Sequence, residues 1–115
     1  MIVAQSRYWR AQARKGAQSL TLTVLRDALP AELEEVRDLR IDIPLEDWNR
    51  VVKYARADRK LLGGILLDFA KNKDRLAAAV GHDGLYLELQ QVVADATVNL
   101  VKEERLSLGP VPKEA

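Results

Sequence analysis

The stretch from residue 44 to residue 80 limits the possible fold of this chain more than any other segment. Its apolar residues recur at intervals of three and four, a spacing that lays one stripe along a helix; they include Trp48, Val52, Ala55, Leu62, Leu66 and Phe69. At about 100° per residue, several cations gather on an adjoining side of the same helix, namely Arg50, Lys53, Arg56 and Lys60. The pattern predicts a helical centre with one buried face and one basic face.

Two adjacent glycines, Gly63 and Gly64, interrupt this central stretch. Together they cost about 2 kcal/mol relative to alanine in a helix interior. One interpretation is therefore a turn near residues 59–64 that divides the stretch into a pair of helices. The other is a continuous helix in which the glycines permit close packing against a neighbour. The sequence leaves both interpretations open.

Before the central stretch we predict two helices. Ser6 is a candidate N-cap of the first, which runs through Ala13. Residues 20–24 alternate apolar residues with threonine, as a strand does. The leucines at positions 22, 25 and 29, however, fit a helical stripe that ends at Pro30, and we favour the helix.

Three further elements are predicted from Pro30 onward. Proline suits the first turn of a helix and acidic residues follow it, so a short helix is expected after Pro30. Residues 39–43 alternate apolar and charged side chains, which indicates an extended segment with one buried face. A last helix is predicted from the apolar stripe between Leu85 and Leu100.

These elements together define the expected fold class. The chain has 115 residues, of which 48% are hydrophobic and 30% are charged, a balance typical of globular proteins. We predict an all-α fold, a compact bundle of four or five helices with at most one short extended segment near residues 39–43. Residues 1–106 are predicted to form a single helical domain, and residues 107–115 a flexible C-terminal tail.

The formal net charge of +1 conceals an uneven distribution of charge along the chain. Residues 1–26 carry five basic residues and no acid, and residues 27–49 carry eight acids against two arginines. Residues 50–75 carry eight basic residues against three acids, which gives this segment a charge of +5. A local positive field governs binding to polyanions more than net charge does, so the two basic segments are candidate binding surfaces.

The sequence contains no recognisable catalytic or metal-binding motif. It contains one histidine and no cysteine, so a Cys-His pair, a zinc cluster and a disulfide are excluded. We therefore expect no enzymatic activity, no metal and no cofactor. The start of the chain lacks the long apolar core of a signal peptide, and no run approaches the roughly 20 apolar residues of a membrane span. Cytoplasmic localisation without membrane association is expected.

The segment from Leu39 to Ala70, with an alternating strand followed by two helices, resembles a ribbon-helix-helix unit. In that family the outward side chains of the strand enter the major groove of DNA, which the resemblance would assign to Asp38, Arg40 and Asp42. The turn at residues 58–60 departs from the family pattern, because it lacks the usual glycine.

Taken as a whole, a short, cysteine-free and mainly helical chain with basic faces is similar to the small helical subunit of multi-subunit CRISPR effector complexes, which act in antiviral defence. This resemblance implies a subunit that stacks along a guide strand and holds nucleic-acid backbone through scattered arginines and lysines. The acidic segment from Glu32 to Asp47 would then face away from the strand or meet a protein neighbour.

The favoured function is a non-catalytic, nucleic-acid-associated structural subunit of a larger complex, which contacts the phosphate backbone of DNA or RNA through a basic helical face. Its expected partners are nucleic acid and other protein subunits, including copies of itself. The alternative is a helical protein–protein interaction module or homodimeric adaptor that does not bind nucleic acid, and whose cations meet an acidic partner. The candidate binding residues are Arg50, Lys53, Arg56, Lys60, Lys71, Lys73, Arg75, Arg7, Arg10 and Arg14.

Overall fold

The structure is a computed structural model that describes residues 1–13, 18–25, 27, 29–37 and 39–102. Arg14 and Asp38, two residues singled out from the sequence, and the tail predicted at residues 107–115 lie outside these ranges. The prediction that the tail is flexible is therefore not addressed by the structure.

The chain forms a four-stranded antiparallel sheet followed by four helices. The strands are β1 (Ile2–Gln5), β2 (Trp9–Gln12), β3 (Ser19–Val24) and β4 (Arg40–Pro44), and they lie in the order β1-β2-β3-β4. The helices are α1 (Leu45–Ala57), α2 (Arg59–Leu67), α3 (Lys73–Gly81) and α4 (Asp83–Lys102), and a 3-10 segment, Ala31–Val36, lies between β3 and β4. This is an α+β architecture, so the predicted all-α helical bundle is wrong.

The prediction fails in the first 24 residues, where side chains alternate between buried and exposed, as in strands, instead of following the helical period. In β3, Leu20, Leu22 and Val24 are buried, whereas the intervening serine and threonines lie on the other face. In β2, Trp9 and Ala11 are buried in the same alternation. The helical stripe through positions 22, 25 and 29 was outweighed by cross-strand pairing of β3 with both β2 and β4, which the sequence does not display locally.

The region around Ser6 is a connection between strands rather than the start of a helix. The backbone N–H of Ser6 donates to the carbonyl of Trp9 at 2.9 Å, within the link between β1 and β2. The predicted cap at Ser6 and the helix through Ala13 are therefore wrong. The extended segment predicted at residues 39–43 is confirmed as β4, which is displaced by one residue.

The helices cover one face of the sheet, and two buried tryptophans join them to the rest of the core. The indole N–H of Trp48 in α1 donates to the hydroxyl of Thr97 in α4 at 2.8 Å, and this hydroxyl donates to the carbonyl of Val93 at 2.7 Å. The indole N–H of Trp9 in β2 donates to the carbonyl of Leu85 at 2.9 Å. Both indoles are completely buried, so their polar atoms are satisfied inside the core.

The central stretch divides at Asp58, not at the glycines. Asp58 lies between α1 and α2 in an extended conformation, and its carboxylate accepts hydrogen bonds from the backbone N–H groups of Lys60 and Leu61 at 2.7 and 3.2 Å. Gly63 and Gly64 lie within α2, so neither glycine forms the turn. The stretch is nevertheless divided as the first interpretation predicted, one residue before residues 59–64, and the continuous helix is wrong because α1, α2 and α3 are separate elements. A Cβ atom added to Gly63 would lie 3.3 Å from Cγ1 of Val80, so this glycine permits the close approach of α3.

Candidate nucleic-acid interface

The outward side of α1 carries Arg50, Lys53 and Arg56, which we call the α1 basic face. All three side chains are exposed. At about 100° per residue, Arg50 and Lys53 lie on the side of the helix opposite the buried residues Trp48 and Ala55, and Arg56 lies about 90° from these two residues. Proline at position 44 and acids in the first turn favour the start of α1, and Arg56 lies in the last turn, where a cation complements the helix dipole.

The cations of this region differ in how far they are already paired. The guanidinium of Arg50 lies 3.6 Å from the carboxylate of Asp47, and the ammonium of Lys53 lies 6.0 Å from the ring centre of Tyr54. Within the described part of the chain, no carboxylate lies within 4.0 Å of the charged group of Lys53, Arg56 or Lys60. These three charges are therefore available to an external anion.

Lys60 extends the α1 basic face across the junction with α2. Only Asp58 separates the two helices, and its carboxylate caps the first turn of α2, where the exposed Lys60 lies. The hydrogen bonds to the cap fix the direction in which α2 leaves this junction. Lys60 is thus the next exposed cation after Arg56, four residues further along the chain and on the other side of the junction.

Arg59, the neighbour of Lys60, has a structural role. Its Nε donates to the carbonyl of Val80 at 2.8 Å, its Nη1 lies 2.7 Å from the carboxylate of Asp83, and its guanidinium lies over the ring of Tyr86 at 4.5 Å. These contacts connect α2 to the end of α3 and to α4. Arg59 contributes to the charge of residues 50–75, but its guanidinium is committed to its own chain.

The second basic cluster, Lys71, Lys73 and Arg75, lies around the turn that leads into α3. Lys71 and Lys73 are exposed, and Arg75 is half-buried. The side chain of Asn72 caps α3 by accepting from the backbone N–H of Arg75 at 2.9 Å. This cluster follows the end of α2, whereas Lys60 lies near the start of that helix, about 10 Å from its end along the axis. It forms a separate group from the α1 basic face.

The remaining predicted cations lie on the sheet. Arg7 is exposed between β1 and β2, its backbone N–H donates to the carboxylate of Glu88 at 2.6 Å, and its guanidinium lies 5.2 Å from the ring centre of Tyr8. Arg10 lies on the open face of the sheet, where its Nε donates to Gln5 at 3.2 Å. The ten residues predicted from the sequence thus include three separate groups, together with Arg14, which is not described.

The open face of the sheet is a polar surface that the helical interpretation missed. It contains a shallow depression of about 640 Å³, and the hydroxyl of Thr21 in its wall donates to the carboxylate of Asp42 at 2.6 Å. The alternation of threonine with leucine in β3 was the available signal, because it assigns every second residue to this face. Other side chains that line the depression are Gln12, Ser19, Thr23 and Arg40.

Apart from these surfaces, the described residues contain an apolar groove between α2 and α3. It has a volume of about 400 Å³ and is lined by Leu67, Leu76 and Val80, with Gly63 and Gly64 along its side. The absence of side chains at the two glycines produces the space, which the sequence pattern alone did not reveal.

The single histidine contributes to folding. The Nδ1 atom of His82 accepts from the backbone N–H of Leu85 at 3.3 Å, so this side chain caps α4. Among the described residues, no three histidine, aspartate or glutamate side chains are grouped as a metal site would require. In the same part of the chain, none of the helices has the length and apolar character needed to cross a membrane. Comparisons of the chain with protein-family models, with curated proteins and with solved structures found no match.

Proposed function

We propose that this protein is a non-catalytic structural subunit of a larger complex in the cytoplasm, and that its α1 basic face together with Lys60 holds the phosphate backbone of DNA or RNA. The observation that carries this proposal is the exposure of Lys53, Arg56 and Lys60 without a carboxylate within 4.0 Å among the described residues. A cation that is already paired gives up that pair when it binds phosphate, whereas these three do not.

The geometry favours contact with phosphates over reading of bases. Arg50 and Arg56 are six residues apart, or about 9 Å along the helix, which corresponds to about three nucleotides of one strand. Both tryptophans are completely buried, so neither can stack on a base. The resemblance to the small helical CRISPR subunits was based on a helical profile that the sheet does not share, and the placement of the cations supports the proposal without it.

A salt titration of nucleic-acid binding tests the proposal. Each phosphate contact contributes about 0.7 to 0.9 to the slope of log affinity against log salt. We expect the triple change Lys53→Gln, Arg56→Gln and Lys60→Gln to flatten that slope by roughly two to three and to weaken binding of single and double strands of any sequence. Fluorescence anisotropy with labelled DNA and RNA provides the measurement.

A charge-matched control separates a defined face from general positive charge. The change Arg7→Gln, Arg10→Gln and Arg40→Gln removes the same charge from the hairpin and the sheet, away from the α1 basic face. We expect it to leave the slope within about one unit of the unmodified protein. Equal losses in the two triple variants, or no salt-dependent binding by the unmodified protein at low salt, would contradict the proposal.

The second candidate function is a protein-interaction module that does not bind nucleic acid. It is favoured by one observation, the apolar side chains on the outward side of α4, where Leu87 is 61% exposed and Val98 is 52% exposed. In that case the triple change on α1 and α2 weakens association with an acidic protein partner, and no nucleic acid binds at any salt concentration. The anisotropy titration distinguishes the two functions directly.

A further inference from the structure

The outward side of α4 carries an unusual row of side chains for a surface helix. Its exposed members follow each other at intervals of four, three, four and three residues, and we call them the α4 apolar stripe: Leu87, Gln91, Ala94, Val98 and Val101. At about 100° per residue, the stripe lies roughly 150° away from the buried side of α4. Leu87, Val98 and Val101 are 61%, 52% and 40% exposed, so the chain itself leaves them largely uncovered.

The spacing of the stripe is that of a helix that pairs with another helix. Intervals of three and four repeat every seven residues, as in the contact positions of coiled coils. The stripe spans 14 residues, or about 21 Å of helix, which is four turns. The buried side of α4 already supplies the core of its own chain through residues such as Leu89, Val92 and Ala96. The α4 apolar stripe is therefore a second, exposed row of mainly apolar side chains on one helix.

We propose that the α4 apolar stripe is the interface between two copies of this chain, paired antiparallel about a twofold axis near Ala94. A twofold axis makes the interface isologous, so every contact of a residue with a partner position occurs twice. Antiparallel pairing sets Leu87 against the partner's Val101, Gln91 against the partner's Val98, and Ala94 against itself. The small alanine at the centre permits the close approach of the two helices.

Charges beside the stripe select the antiparallel arrangement. Glu88, Asp95 and Lys102 follow each other at intervals of seven along one edge of the stripe. Antiparallel pairing sets Glu88 beside the partner's Lys102, and the twofold axis produces this pair twice. It also sets Asp95 near the partner's Asp95, but this carboxylate accepts hydrogen bonds from Gln91 of its own chain at 3.0 and 3.1 Å. Two attractive pairs thus oppose one repulsive pair.

Parallel pairing offers no such ion pairs. It brings Glu88 and Lys102 beside the positions on the other edge of the stripe, which are Gln90 and Thr97. Gln90 donates to the carbonyl of Ala55 at 2.5 Å, and Thr97 is buried, so both side chains are engaged within their own chain. The surface charges therefore favour the antiparallel dimer.

Sedimentation of the full chain tests the dimer. One helix face is smaller than the standard interface of about 800 Å² per partner, so we expect a weak dimer whose population rises between micromolar and about 1 mM protein. The change Val98→Lys should raise the Kd by about 100-fold or more, because each substitution acts twice across the axis. Leu61→Lys is the matched control, because Leu61 is 51% exposed on α2 and outside the stripe. A monomer at every concentration, or equal effects of the two substitutions, overturns the proposal.

Disulfide trapping tests the orientation, and the chain has no cysteine of its own to interfere. A disulfide requires Cα atoms less than about 7 Å apart. We expect Ala94→Cys to cross-link with itself, and Leu87→Cys to cross-link with Val101→Cys in a mixture of the two variants. Leu87→Cys should not cross-link with itself, because antiparallel pairing separates the two positions by about 21 Å. Self-linking of Leu87→Cys faster than the mixed reaction overturns the antiparallel arrangement.

A charge exchange tests the register. We expect Glu88→Lys and Lys102→Glu each to raise the Kd of the dimer several-fold, and the double variant to restore it towards the original value. Glu88 also accepts from the backbone of Arg7, so circular dichroism must show that the fold of each variant is unchanged. Failure of the double variant to recover any affinity contradicts the proposed register.

Discussion

The outer faces of α1 and α4 both point away from the same core, yet they are chemically opposite. α1 presents Arg50, Lys53 and Arg56 to solvent, whereas α4 presents Leu87, Val98 and Val101. Each helix uses its other face to bury apolar residues, so folding demands nothing particular of either outer face. This difference fits the two interactions proposed for them: water and polyanions suit the first face, and another apolar surface suits the second.

A buried hydrogen bond connects α1 and α4. The indole of Trp48 in α1 donates to the hydroxyl of Thr97 in α4, and this hydroxyl is in turn bonded within α4. The connection fixes how the two outer faces are oriented relative to each other. Changes at this connection should have the largest effects on stability, and changes on the outer faces the smallest.

The largest effect is expected from Trp48→Ala. The side chain is completely buried, and its removal leaves a cavity that the sheet and α4 can fill only partly. We expect the free energy of unfolding to fall by about 3 to 5 kcal/mol, as measured by urea denaturation. Trp48→Phe retains much of the ring and should cost clearly less. A loss below about 1 kcal/mol for the alanine variant would mean that α1 is not held in place by this residue.

A smaller effect is expected from Thr97→Val, which preserves shape but removes the hydroxyl. The indole N–H of Trp48 then remains buried without an acceptor, and we expect a loss of about 1 to 3 kcal/mol. Thr97→Ser keeps the hydroxyl and is the control. If the polar link carries this cost, the double variant Trp48→Phe, Thr97→Val should lose less than the sum of the single losses. Strict additivity would contradict the role assigned to this hydrogen bond.

Gly63 and Gly64 are adjacent in α2, but Gly63 faces α3 and Gly64 faces open space. An added Cβ at Gly64 meets no atom within 4 Å, so Gly64→Ala should stabilise the fold by about 0.5 to 1 kcal/mol. At Gly63 the added Cβ lies 3.3 Å from Val80, which must shift. We expect Gly63→Ala to be less stable than Gly64→Ala by at least about 0.5 kcal/mol in thermal or urea unfolding. Equal gains at the two positions would show that α3 does not press on α2.

The sequence predicted the C-terminal part of the fold better than the N-terminal part, for a physical reason. Helical periodicity is local, so α1 and α4 could be recognised from their own residues, and the position of β4 was found within one residue. The stability of β2 and β3 comes from pairing between segments far apart in the chain. Short apolar runs such as Leu20 to Val24 satisfy both patterns, and a helix was chosen where the alternation with threonine was the better guide.

The sequence identified the individual cations of the candidate site, but it did not predict which of them are free and which contact other helices. Periodicity grouped four cations on one face of a single helix, because neighbours on one helix share a fixed geometry. Arg50, Lys53 and Arg56 are exposed on α1, but Lys60 lies on α2, beyond the break at Asp58. Periodicity did not show that Arg59 is committed to Val80 and Asp83, because those contacts connect separate helices. The stripe recognised between Leu85 and Leu100 is the buried side of α4, whereas the exposed apolar residues Leu87, Val98 and Val101 were not singled out from the sequence.

The smallest effects are expected on the outer faces themselves. Arg50→Gln, Lys53→Gln and Arg56→Gln should each change the free energy of unfolding by no more than about 0.5 kcal/mol, because these side chains face water. The ion pair of Arg50 with Asp47 is long, at 3.6 Å, and exposed, so its loss costs little. Val98→Lys should be equally neutral when unfolding is measured on dilute, monomeric protein.

The binding experiments can be interpreted because these substitutions are expected to leave the free energy of unfolding nearly unchanged. If the α1 variants fold normally and lose salt-dependent binding, the loss belongs to phosphate contacts and not to a damaged helix. If Val98→Lys unfolds like the unmodified protein at low concentration but fails to associate at high concentration, the loss belongs to the α4 apolar stripe. If a substitution at any of these positions lowers the free energy of unfolding by more than about 1 kcal/mol, that side chain stabilises the fold. A loss of binding in that variant would then not identify a contact with a partner.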